Sequence, residues 1–101
     1  MANNFVGAEN TGITTETVVY TGKTATQATV IGLTVANTSG LATLVSVKKN
    51  ASYLVKNAPV PSGGSIVVVG GDQKLVVEPT NTVSVSADNT VDVVLSVLEI
   101  A

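Results

Sequence analysis

Valine and threonine together supply about a third of the 101 residues, and this excess is what most constrains the fold. Both branch at Cβ, which stiffens χ1 and fits a pleated sheet better than a helix. They occur in short runs, parted roughly every eight to twelve residues by clusters of Gly, Pro, Asn and Asp. That rhythm predicts an all-β sandwich or barrel. No window sustains an apolar period of about 3.6 residues, so no helix is expected.

Strands are expected at Glu16 to Thr21, Thr24 to Asn37, Leu41 to Lys48, Ser52 to Asn57, Ser65 to Val69, Gln73 to Glu78, Thr82 to Ala87 and Val91 to Glu99. Alternation assigns Ile31, Leu33, Val35, Val45, Val47, Val83 and Val85 to the core. In the last strand Val91, Val93, Leu95 and Val97 alternate with Asp92, Val94, Ser96 and Leu98. Val94 and Leu98 spoil a polar outer face, which predicts partial cover on both sides. Pro59 to Gly64 cannot be an interior strand and is expected to cross between sheets. The expected fold is an antiparallel β-sandwich of about eight strands in two four-stranded sheets, with jelly-roll or Ig-like connectivity.

Residues 1–15 differ from the rest, being small, polar and rich in Gly, Asn and Thr. They are expected to form an extended, strandless N-terminal arm outside a sandwich domain of residues 16–101, since alone they bury too little to offset their ordering entropy. Phe5, Val6 and Ile13 are the arm's candidate interface anchors. With three aromatics in the chain, the core must be built from small aliphatic groups, and association into a homo-oligomer is expected to supplement it and cover sheet edges.

The chain contains no His, Cys, Trp or Arg. No Ser-His or Cys-His pair can be assembled, nor a zinc, haem or iron–sulfur ligand set, so neither a catalytic residue nor a cofactor is expected. A net charge of -2 with no Arg gives no footprint for nucleic acid. The longest strictly apolar runs have four residues, such as Ile66 to Val69, too short for a membrane span. The first residues carry no secretory signal pattern, so synthesis in a cytoplasm is expected. Asn37 and Asn50, each followed two residues on by Ser, are read as turn residues rather than glycan acceptors.

Three further clusters invite a site. Asp88, Asn89 and Asp92 bring oxygens together, but Asp88 and Asn89 are ordinary turn formers and the set is too small for calcium. Gly63-Gly64 and Gly70-Gly71 precede strands rather than helices, so they are corner glycines and not a phosphate loop. Lys48 and Lys49, with Lys56 nearby, form the basic concentration. They are read as a solvated hairpin tip and as second candidates for an interface with acidic protein surface.

The run Tyr20-Thr21-Gly22-Lys23-Thr24-Ala25 is followed by Ile31-Gly32-Leu33-Thr34-Val35-Ala36-Asn37. Tyr53 to Pro61, Gly71 to Val77, and Val91-Asp92-Val93 with Leu95-Ser96 complete an order of parts. Over residues 19–100 this order resembles a family of small virion structural proteins of tailed bacteriophages. Thr21 before the Gly-Lys turn and Thr80-Asn81-Thr82 depart from its usual pattern. The resemblance implies a β-sandwich subunit located in the virion, most of all a capsid decoration (cement) protein, with the major capsid protein or other virion structural proteins as partners. A neck, tail or baseplate component is the alternative implied. A glycan-binding fibre module is disfavoured by the absence of Trp.

Overall fold

The computed structural model describes residues 3–70 and 73–100. Nine strands build it: β1 (Asn3–Ile13), β2 (Thr17–Thr21), β3 (Gln27–Asn37), β4 (Thr43–Lys49), β5 (Ser52–Val60), β6 (Ser65–Val69), β7 (Leu75–Val77), β8 (Thr82–Ala87) and β9 (Val91–Ile100). They form two antiparallel sheets packed as a sandwich. The first sheet runs β1-β9-β3-β6, with β7 beside the start of β3 and β6 beside its end; the second runs β2-β8-β4-β5.

The pairings nest. β4 pairs with β5, β3 with β6 and β7, β2 with β8, and β1 with β9. This is one long antiparallel hairpin, folded about the β4–β5 turn and rolled into two layers, which is jelly-roll connectivity rather than Ig-like. Asn50 carries that turn with φ at 54°. Between β5 and β6 the chain crosses from the second sheet to the first, as its prolines and glycines predict. Pro59 itself is tolerated inside β5 because β5 is an edge strand.

The core lies between the sheets and is mostly valine. Val35, Val45, Val47, Val83, Val85, Val91, Val93 and Val97 are fully buried, and Leu33 and Leu95 are the largest side chains there. Ile31 is a correction. A bulge between Val30 and Gly32 shifts the register against β9, so Val30 enters the core and Ile31 turns outward, half-buried. The outer side of β9 is partly covered at Leu98, which is half-buried, but not at Val94, which stands exposed and is a second correction.

The N-terminal segment is a third. Residues 3–13 are not strandless but form β1, paired with β9 from Asn3↔Ile100 to Asn10↔Val93 and, past a register shift, at Ile13↔Val91. The expected boundary after Thr15 falls in the short link to β2. The pairing explains the difference: β9 offers a complete row of backbone partners, so β1 needs little apolar area of its own. Ile13 is buried in the core and Val6 is half-buried, while Phe5 is exposed.

Candidate assembly surface

Residues directly opposite each other in an antiparallel ladder project from the same side of the sheet. The registers of the first sheet therefore define rows across its outer face. One row reads Phe5–Leu98–Thr29–Val76 across β1, β9, β3 and β7. A second reads Glu9–Val94–Thr34–Val67 across β1, β9, β3 and β6. Between them lies a row of small residues, Gly7–Ser96–Gly32.

Within these rows Phe5 is 78% exposed, Val67 64%, Val76 57% and Val94 55%. No lysine occurs in any of the five strands of this sheet. Four exposed apolar side chains therefore share the outer face of one sheet, interleaved with Thr29, Thr34 and Ser96. At one end of it, Ala25, Gln27, Thr29, Val76, Pro79 and Ile100 line an open cleft of about 580 Å³.

The outer face of the second sheet also carries exposed apolar side chains, Val18, Leu44 and Tyr53, but a lysine interrupts them. Lys48 is opposite Ser84 on one side and Tyr53 on the other. Lys48 Nζ lies 2.8 Å from Glu16 Oε1 and 5.6 Å from the Tyr53 ring centre, and Lys56 Nζ lies 5.2 Å from the same ring. The Glu16 carboxylate raises the Lys48 pKa. Lys48 is thus held on the sheet face by a carboxylate and an aromatic ring, while Lys49 begins the turn beside it.

Two polar clusters do structural work. Tyr20 Oη donates to Glu99 Oε2 at 2.5 Å, and Lys23 Nζ to Glu99 Oε1 at 3.1 Å, joining β2 of one sheet to β9 of the other. Burial, aided by the bond to Glu99, pushes the Tyr20 phenol well above its ordinary range; that same bond, against the effect of burial, holds the Glu99 carboxyl below its own. Asn37 donates through Nδ2 to the carbonyls of Leu41 and Val60 and accepts from Ser39 through Oδ1. It is buried and fully engaged as a structural turn residue.

The Asp88, Asn89 and Asp92 group does not converge. Asp92 Oδ1 accepts from the Gly12 backbone, and Asn89 is tied to Thr43 and Ala42. Among the described residues no group of three acidic side chains is placed to hold a metal. Gly63 and Gly64 form a corner in which Gly64 N donates to the Pro61 carbonyl. Gly71 and Asp72 lie outside the described residues.

Of the candidate interface residues, Phe5 alone belongs to the apolar face. Sequence reasoning missed Val67, Val76 and Val94 as a surface set. Their signal was present in the non-alternating runs of β6, β7 and β9, but only the strand order brings them together.

No protein-family model and no curated protein matches the chain. Among solved structures, a chain of Bacillus endospore appendages, described as forming a novel family of disulfide-linked pili, is similar. The likeness covers 96% of this chain and 85% of that one, at 17% identity and a TM-score of 0.47.

Proposed function

We propose that this protein is a structural assembly subunit without turnover, and that its site of action is a tailed-phage virion, as a head decoration protein. The observation that carries an assembly role is the apolar outer face of the first sheet, where Phe5, Val67, Val76 and Val94 are all more than half exposed. Apolar area of this kind is covered in a working assembly or becomes a site of aggregation. The chain's buried polar groups are spent on joining sheets and closing turns, and its composition lacks the residues of a nucleophile–base pair. The virion location and the capsid partner rest on the residue pattern of β2, β3, β5 and β9 described above.

In this reading each copy buries a modest surface, and repetition over the particle multiplies the effect on shell stability. Purified virions provide the test, through the amount of this protein relative to the major capsid protein. A ratio near one copy per capsid subunit or per capsomer supports decoration. A ratio of one small ring per particle transfers the protein to the neck or tail, and its absence from virions overturns the proposal.

A further inference from the structure

We infer that the outer face of the first sheet binds a second copy of this chain, across a two-fold axis that runs along the strands and passes between β9 and β3. The inference rests on the reading of that face as an assembly surface and names its partner. Such an axis exchanges β1 with the β6/β7 edge and β9 with β3, and leaves position along the strands unchanged. The row Phe5–Leu98–Thr29–Val76 then meets its own reverse. Phe5 of one copy lies over Val76 of the other, and Leu98 over Thr29. In the second row Val94 lies over Thr34, and Glu9 over Val67.

The geometry suits each contact. Thr29 and Val76 line the 580 Å³ cleft, so Phe5, exposed on its own chain, enters the cleft of its partner. The row Gly7–Ser96–Gly32 between the two apolar rows is small, and Ile31, which the bulge turns outward beside Gly32, adds apolar contact next to the axis at the roughly 10 Å separation usual for aligned sheets. The two Glu9 carboxylates fall on opposite rims, about 14 Å apart by strand spacing, and are screened from each other by solvent.

Four strands at about 4.8 Å spacing and about 30 Å of strand length give a footprint of about 500–600 Å² per copy. The total of about 1,000–1,200 Å² is the lower bound of a specific interface, which predicts a reversible dimer rather than an obligate one. Its energetic centre is the reciprocal insertion of an aromatic anchor, the kind of contact on which interfaces concentrate their affinity.

Because the chain has no cysteine, engineered thiol pairs report the geometry cleanly. In a Phe5→Cys/Val76→Cys variant the two thiols of one chain are three strands apart, about 14 Å. Across the two-fold they face each other twice at the sheet separation of about 10 Å, too far for a disulfide but within reach of a short bis-maleimide. That reagent should convert the double variant to a covalent dimer, while each single variant stays uncross-linked. Sedimentation equilibrium of the unmodified chain should show a monomer–dimer equilibrium. Phe5→Ala should weaken it at least about 10-fold and Val94→Lys should abolish it, with far-UV circular dichroism unchanged for both, since these side chains are exposed. A monomer at concentrations of about 100 µM, or cross-linking of Phe5→Cys alone as readily as of the double variant, would overturn the inference. The virion measurement is independent of these. A strict monomer that is abundant in virions ends this inference and leaves the functional reading standing; a dimer absent from virions does the reverse.

Discussion

At the scale of single residues, Glu99 ties the two layers together and sets the pH range of the fold. Tyr20 and Lys23 hold its carboxyl below the ordinary value of 4.5. The unfolded chain therefore takes up the proton first as pH falls, and this contribution to stability is lost from about pH 4.5 downward. Tyr20 acts in the other sense. Its raised pKa means that the unfolded chain ionises first, so stability falls as pH rises beyond the ordinary phenol value of 10.0. Tyr20→Phe should cost about 1–3 kcal/mol near neutrality and flatten both limbs of a plot of denaturant midpoint against pH. Limbs as steep as in the unmodified chain would show that the cluster does not carry the effect.

Packing makes a second demand on individual positions. A Cβ on Gly22 would collide with the carbonyl oxygen of Glu78, where the loop after β2 meets the turn before β8. Gly22→Ala should destabilise by about 1–3 kcal/mol. Leu95→Ala, which empties a fully buried site on β9, should cost about 2–5 kcal/mol, whereas Val94→Thr one residue away should stay within about 0.5 kcal/mol. Chemical denaturation of the three variants checks the order. A Val94 variant as damaging as the Leu95 one would mean that the outer face is packed within the monomer.

At the scale of elements, β1 shows what a sequence conceals. The alternation of Val83 with Val85, and of Val91 through Val97, is readable because each strand carries its own apolar period. β1 carries almost none; Asn3, Asn4, Gly7 and Gly12 look like an arm, and the segment is a strand because β9 supplies its ladder. Ile31 was unreadable for a related reason, since one bulge residue reverses the face assignment after it. Val94 and Leu98 were legible as apolar, yet no period can say whether another layer covers them. Removing residues 2–13 should therefore do more than shorten a tail. It bares the backbone edge of β9 and the sides of Val93, Leu95 and Val97, and should lower the melting temperature sharply or cause aggregation. A truncated chain that melts with the full one would make β1 a dispensable arm after all.

At the scale of the whole molecule, the two outer faces divide the surface by character. The second sheet presents Val18 and Leu44 beside lysines and a tyrosine held in ion-pair and ring contacts, while the first presents Phe5, Val67, Val76 and Val94 with no lysine in its strands. The small-aliphatic core and the uncovered apolar face fit a subunit that is completed by assembly. The most direct measurement is a competition between the unmodified chain and Val94→Lys for undecorated tailed-phage heads, with bound protein quantified by mass spectrometry. Heads should take up the unmodified chain at least about 10-fold in excess. Equal uptake of the two proteins, or uptake of neither, would contradict decoration through this face.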